Sequence, residues 1–315
     1  MTLRLGTRGS ALALAQSRLV ADAITAALGE PVELVEIETD GDRSTAPVPE
    51  LGVGVFVSAL RDALSAKEID IAVHSYKDLP TAPVDGLTIA AVPPREDPRD
   101  VVVTVGGLGL AELPVGARVG TGSLRRIAQV RSLGRDYACV PIRGNVDTRL
   151  RKLAAGDVDA VVLAAAGLRR LGRVAEFTQL AERTIELRRQ VLDPEVMLPA
   201  PAQGALAVEC RTGDHSLVVQ LASINDENTR AAVLAERTLL ATLEAGCSAP
   251  VAALAEISPH DGSEIRLTAA VFALDGSRAI RNRGTAALSD AAGLGSRLAA
   301  QLLTDGADLL LGENG

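Results

Sequence analysis

The sequence predicts an α/β protein with two lobes and a cleft between them, followed by a small α+β domain at the C-terminal end. Short apolar strands alternate with helical patterns up to about residue 215. That order builds a mostly parallel sheet with ligands at the strand C-termini. Two proline-rich crossings, at residues 93–98 and 193–201, bracket one block of the alternation. A chain that leaves a domain through one linker and returns through another makes two lobes. Beyond residue 215 the pattern changes to a long helix, then strands and a hairpin turn. The expected units are residues 1–94 with 200–215, residues 95–199, and residues 216–315, each of ordinary domain size.

Leu3–Thr7 reads as a strand, and Ser10 can cap a helix over Ala11–Leu28, whose apolar residues recur at helical spacing. A strand over residues 32–39 and a helix over 56–65 follow. Residues 69–73 (Ile-Asp-Ile-Ala-Val) form a short buried strand that delivers His74 into a loop. Between the crossings the pattern predicts strands at 117–120, 139–142 and 160–163, with helices at 123–133 and 146–155. Segment 204–210 rejoins the first lobe. The third domain is expected to hold a helix over 227–244 and strands at Val251–Ile257 and 266–273. Asp275-Gly276 marks a hairpin turn, and a last helix lies near 291–303.

Composition narrows the function. Hydrophobic residues make up 47 %, enough for a sizeable core, but aromatics are 2 % and Trp is absent. That argues against a stacking surface for single-stranded nucleic acid. A net charge of −8 and a pI near 5.1 argue against a phosphate-backbone binder. No apolar run is read as approaching the roughly 18–20 residues of a membrane span. The N-terminus lacks the basic-then-apolar order of a signal peptide. Three cysteines, Cys139, Cys210 and Cys247, fit a cytoplasmic chain with reduced thiols.

Against this acidic background, three turns concentrate arginine among small residues. They are Gly6-Thr7-Arg8-Gly9-Ser10, Gly120-Thr121-Gly122-Ser123-Leu124-Arg125-Arg126, and Arg143-Gly144-Asn145-Val146-Asp147-Thr148-Arg149. Each reads as a strand entering a turn and then a helix, whose N-terminus favours anions. Arginine adds a planar fork matched to carboxylate or phosphate. With Arg169-Arg170 after a further strand, these turns point to a small ligand with many negative groups. Surface arginines paired with nearby acids are the plain alternative. No Walker or Rossmann run is present, and no Cys/His cluster has metal spacing, so no metal is expected.

Two single residues carry chemistry. Asp78, in His74-Ser75-Tyr76-Lys77-Asp78-Leu79-Pro80, is either a turn former or a carboxylate that stabilises a cation and moves protons. Cys247 follows the long helix, directly after Gly246 at the position past its C-cap. It is either a small residue in a tight cap or an accessible nucleophile or attachment point. Cys139 and Cys210 sit in apolar strands and read as packing residues. On residues alone, a two-lobed binding protein for a small polycarboxylate and a thiol enzyme joining Cys247 to His74 both stay open.

The ordered set of motifs resembles the porphobilinogen deaminase (hydroxymethylbilane synthase) family from residue 3 to about 311. It includes Thr7-Arg8-Gly9-Ser10, Asp70-Ile71-Ala72-Val73-His74-Ser75 with Lys77-Asp78, Arg95-Glu96-Asp97-Pro98-Arg99-Asp100, Ser123-Leu124-Arg125-Arg126, Arg143-Gly144-Asn145-Val146, Gln203-Gly204-Ala205 and Gly246-Cys247. The resemblance implies lobes like those of periplasmic binding proteins. It implies a cytoplasmic, monomeric transferase that joins four porphobilinogen molecules into hydroxymethylbilane, with no nucleic acid or membrane partner. It implies a dipyrromethane cofactor in thioether linkage to Cys247 and catalysis by Asp78. Cofactor contacts would come from Arg8, Ser10, Lys77, Asp78, Thr121, Ser123, Arg125, Arg126 and Arg143. Substrate contacts would come from Arg8, Gln16, Arg143, Arg149, Arg170 and Gln203. The chain departs from the family at Leu51-Gly52-Val53-Gly54 and Ser58, where relatives carry lysines, and at Asp40 and Tyr76.

Overall fold

The computed structural model describes residues 2–38, 57–174, 177–180, 183–246, 249–258 and 262–312. Asp40, the 51–54 loop, Phe56 and Cys247 lie outside them.

The first lobe is a five-stranded sheet, β2-β1-β3-β11-β4. Its strands are β1 (Leu3–Thr7), β2 (Val32–Glu36), β3 (Ile71–Ser75), β4 (Leu87–Ala91) and β11 (Leu206–Arg211). Helix α1 (Ala11–Leu28) starts where the Ser10 side chain accepts from the Ala13 N–H, and it stops at Gly29 in the left-handed region. Its Val20 and Ile24 pack on Leu5, Ile71, Val73 and Val208. By length and composition alone, α1 is apolar enough to cross a membrane, with a mean hydropathy of 1.3, contrary to the sequence expectation. Helix α2 (Ser58–Ser65) covers the sheet through Leu60, Ala63 and Leu64 against Ile69 and Ala72.

The second lobe is a six-stranded sheet, β7-β6-β8-β5-β10-β9. Here β5 is Asp100–Val105, β6 Arg118–Gly120, β7 Ala138–Val140, β8 Ala160–Ala164, β9 Phe177–Leu180 and β10 Arg183–Val191. Helices α3 (Leu124–Ser132), α4 (Val146–Ala154) and α5 (Ala165–Arg170) follow β6, β7 and β8. Along β5, Val101 and Val103 face Leu150 and Leu163, while Val102 faces Val119, Val130 and Met197. Both faces of this sheet are therefore covered, as the alternation of a strand requires.

Both sheets are mixed rather than mostly parallel. In each lobe the βα strands run side by side, but β11 is antiparallel to β3 and β4, and β5 is antiparallel to β8 and β10. The cause is the crossings. Strands of βα units end at the cleft, whereas β5 and β11 enter from linkers and begin there. Asp100 thus pairs with Ala164 at the end of β8, and Leu206 with Ser75 at the end of β3. Strand β3 also runs two residues further than expected, so His74 is buried within it and not in a loop. Its Nε2 meets Glu209 Oε2 at 3.1 Å.

After α6 (His215–Leu221) comes the third unit, α7 (Glu227–Thr242) and the hairpin sheet β12 (Val251–Ile257), β13 (Glu264–Phe272) and β14 (Ala279–Ala287). Helices α8 (Ala291–Thr304) and α9 (Ala307–Gly312) follow. One face of the sheet packs under α7 and α8 through Leu239, Leu267, Val271 and Leu298. The other meets Ala128 of α3 and Leu198 through Ala252, Leu254 and Phe272. At the end of α7 the left-handed residue is Glu244, at φ 51°, not Gly246, so the chain turns off the helix earlier than expected.

The linkers, residues 92–99 between β4 and β5 and residues 192–205 between β10 and β11, touch one another. Glu96 N–H donates to Gly204 O at 3.2 Å, and Arg95 Nε to Gln203 O at 2.8 Å. Gly204 sits at φ +89°, and a Cβ there would lie 2.3 Å from the Glu96 carbonyl oxygen, so only glycine fits. Glu236 of α7, fully buried, closes the arrangement. Its carboxylate takes both ends of the Arg95 fork at 2.7 and 3.0 Å, Ala202 N–H at 2.6 Å, and Ala255 N–H of β12 at 2.8 Å. Glu236→Ala takes the acceptor away from both Arg95 Nη groups and from two backbone amides, and leaves the guanidinium only its bond to Gln203 O. We expect it to cost about 3–5 kcal/mol, read as a lowered urea midpoint; an unchanged midpoint would refute this role.

Candidate active site between the lobes

The βα design puts loops at the strand ends facing the cleft, and the polar residues singled out in the sequence stand there. Tyr76–Asp78 form a single 3₁₀ turn after β3. Asp78 is exposed and Lys77 half-buried. The Lys77 ammonium is enclosed by protein and approaches Gln203 Oε1 at 3.5 Å. Burial pulls it below its ordinary pKa. Asp78 and Asp100 oppose that shift, while Arg126 and Arg125 add to it. These groups therefore share one electrostatic neighbourhood across the cleft.

Opposite stands the start of α3. Thr121 is buried and its hydroxyl accepts from Ser123 N–H at 3.2 Å. Ser123 occupies the N-cap without making a side-chain cap bond. Arg125 and Arg126 are both buried, and both turn to Asp100, a residue the sequence reading did not single out for the site. Arg125 Nη1 lies 2.8 Å from Asp100 Oδ2 and donates to Leu198 O at 2.6 Å. Arg126 reaches Asp100 Oδ1 through Nε at 3.1 Å and Nη2 at 2.7 Å, and Val162 O through Nη1 at 2.9 Å. Burial alone would raise the Asp100 pKa, but the two guanidiniums outweigh it and hold the carboxyl well below the usual carboxylate range. An aspartate heading the apolar run Val101-Val102-Val103 was the available signal.

The third turn brings Arg143, half-buried, and Arg149. Asn145 caps α4 by accepting from Thr148 N–H at 2.9 Å, and Arg149 Nε donates to Gly144 O at 2.9 Å. Burial, with repulsion from Arg126 and Arg143, lowers the Arg149 pKa to about 10. So Arg126, Arg143 and Arg149 converge.

Other expected site residues serve as braces. Gln16 is buried and pairs with Ser75 at the end of β3 at 3.0 Å, and Ser10 caps α1. Gln203 is wholly buried, and its amide nitrogen donates to Asp100 Oδ1 at 2.9 Å and Pro98 O at 2.7 Å. Arg170 reaches the linker at Gly204 O, 2.6 Å away, and burial lowers its pKa. Arg8 is half-buried just past β1.

A small cavity joins all three units. Lys77, Ser123, Arg125, Leu240, Gly246 and Ala249 are among the residues that line it. Residues 246 and 249 flank position 247, whose placement is outside the described residues. A larger cavity behind the linkers, lined by Arg95, Asp97, Pro194 and Leu254, holds none of the expected site residues. Cys210 is buried, its thiol pushed up to about 11, and Cys139 is half-buried with a thiol also raised by burial. His74 is committed to Glu209 in the first lobe and is not among the residues that line the small cavity. Among the described residues, no group of three or more His, Cys, Asp or Glu could hold a metal.

The donor set suits a polycarboxylate. Arg125, Arg126, Arg149 and Lys77 outnumber Asp100, the buried carboxylate that Arg125 and Arg126 share. Arg125 Nε is buried without a hydrogen-bond partner, an orphan donor in the residue that lines the cavity.

Comparison with known proteins agrees. A family profile described as "Porphobilinogen deaminase, dipyromethane cofactor binding domain" matches residues 3–219, and one for the C-terminal domain of the same family matches residues 230–304. A porphobilinogen deaminase of Mycobacterium tuberculosis is 54% identical over 98% of this chain and 98% of its own length. One of Nocardia farcinica is 54% identical over 99% of this chain and 88% of its own. Among solved structures, a Bordetella pertussis BvgS VFT2 domain aligns over 71% of this chain and 86% of that one. Its TM-score is 0.42 and its identity 17%. The chain belongs to the porphobilinogen deaminase family.

Proposed function

We propose that this chain is a hydroxymethylbilane synthase. It deaminates porphobilinogen and joins four molecules head to tail, releasing ammonia at each step and the linear hydroxymethylbilane at the end. The observation that carries the reading is the surplus of enclosed positive charge at Lys77, Arg125, Arg126 and Arg149, facing the acid of the Tyr76–Asp78 turn. Each pyrrole carries an acetate and a propionate, so the ligand brings the missing negative charge. The cofactor is dipyrromethane, and we assign its thioether to Cys247, whose described sequence neighbours Gly246 and Ala249 line the small cavity. When bound, it supplies the pyrrole carbon at which the chain grows.

The protein's own part is to bind, orient and stabilise charge. Lys77, Thr121, Ser123, Arg125 and Arg126 would hold the cofactor carboxylates, together with Arg8, Ser10 and Arg143. Arg8, Arg143 and Arg149 would take those of incoming substrate. Arg170, Gln16 and Gln203, engaged as braces, would act on substrate through the cleft walls they hold. Loss of ammonia leaves the substrate ring electron-poor. A fixed Asp78 carboxylate beside the pyrrole N–H stabilises that positive charge and accepts or returns protons. In the same reading the chain works in the cytoplasm as a monomer, and its units are residues 1–94 with 200–215, 95–199 and 216–315.

The first test is intact mass. The purified protein should exceed its sequence mass by one dipyrromethane, and Cys247→Ser should not. If the parent showed no excess even after incubation with porphobilinogen, the reading would be wrong. Asp78→Asn should keep the mass excess while turnover falls by roughly two orders of magnitude or more; a near-normal rate would remove Asp78 from the chemistry. Arg126→Leu takes away both hydrogen bonds made to Asp100 Oδ1 by that arginine. It should lower both cofactor loading and melting temperature, and full loading would show that the cationic wall has been misassigned.

A further inference from the structure

We propose that Arg237 is a positioning residue for Asp78, acting from the third unit through the backbone of the acid-bearing turn. The inference rests on the role given to Asp78 above. Arg237 lies on α7, and its guanidinium spreads over the chain on both sides of Lys77-Asp78. Nη1 donates to Tyr76 O at 3.1 Å and Leu79 O at 2.8 Å, and Nη2 donates to Pro80 O at 2.7 Å. The same guanidinium stands over the Tyr76 ring, 4.5 Å from its centroid.

The turn depends on such outside help. It is one 3₁₀ turn of three residues, closed by a single long bond from Leu79 N–H to Tyr76 O at 3.2 Å. Turns this short have little stability of their own, and Pro80 supplies no N–H. Asp78 is exposed, so packing does not orient its side chain; its position comes from the backbone. A planar fork with five donors can serve three carbonyls and a ring face at once, which an ammonium on a flexible stem cannot.

The contact is separable from docking in general. Arg230, two turns earlier on α7, donates to Ile89 O at 3.3 Å and Ala90 O at 3.5 Å of β4. It helps seat the helix on the first lobe and touches no part of the acid turn. The same helix ends at Thr242, five residues before Cys247 in the sequence.

The test uses the purified holoenzyme, with loading read by intact mass and turnover normalised to loaded protein. Arg237→Gln should keep the dipyrromethane mass and a KM within about twofold of the parent. Its kcat should fall roughly ten- to a hundredfold, the scale of an ångström-sized misplacement. Arg237→Lys should recover only part of that loss, and Tyr76→Leu should show a smaller fall. Arg230→Gln should lower the melting temperature and leave kcat unchanged. A parental kcat in Arg237→Gln overturns the proposal. So does an equal kcat loss in Arg230→Gln, which makes docking the cause. If Arg237→Gln does not fold, Tyr76→Leu decides, and an unchanged kcat there overturns the proposal. A parent that carries no dipyrromethane mass defeats the functional reading itself, and the positioning role goes with it.

Discussion

The Glu236 carboxylate sits where both linkers, α7 and β12 meet, and it satisfies a donor from each of the other three: Arg95 and Ala202 from the two linkers and Ala255 from β12. A buried ion pair contributes little net stability unless every lone pair is used; here all the donors arrive from backbone or a bidentate guanidinium. The arrangement fixes where each linker ends. Just beyond one linker stands Asp100, and within the other stands Gln203, and these two bond each other at 2.9 Å. The linkers and the cationic wall are thus neighbours in one hydrogen-bonded network.

The same network explains how a chain of net charge −8 keeps a positive cleft. Asp100 is a single carboxylate shared by Arg125 and Arg126, so it orients both without neutralising them. Arg149 pays for its burial beside Arg126 and Arg143 with a pKa lowered to about 10. Such a site is electrostatically incomplete. A polyanion that binds the folded form stabilises it by mass action, so cofactor assembly and folding stability are linked.

Much of this was legible in the sequence. Leu3–Thr7, Ala11–Leu28 and Val251–Ile257 were readable to the residue, because capping at Ser10 and clean apolar periodicity mark them. The arginine turns were legible as strand-to-helix corners. Strand β10 (Arg-Thr-Ile-Glu-Leu-Arg-Arg-Gln-Val) was not, since its polar residues mask the alternation. The direction of β5 and β11 was not legible either, because direction depends on which side a linker delivers the strand. Side-chain partners were the least visible. Gln203 looks like a cleft polar residue until Asp100 and Pro98 are seen around it. His74 looks like a loop residue until Glu209 is seen beside it.

Helix α7 carries a consequence of its own. Glu236 and Arg237 are adjacent in sequence yet serve different partners, one the linkers and one the acid turn. Each residue of a helix advances about 1.5 Å and rotates about 100°. One residue inserted or removed just upstream of this pair would swing both side chains off their partners at once. One inserted just downstream would rotate the segment leading to Cys247 relative to them. The helix therefore has a rotational phase as well as a length. Exposed loops generally tolerate a change of length; in α7 the phase set by Glu236 and Arg237 leaves room for substitution but not for insertion.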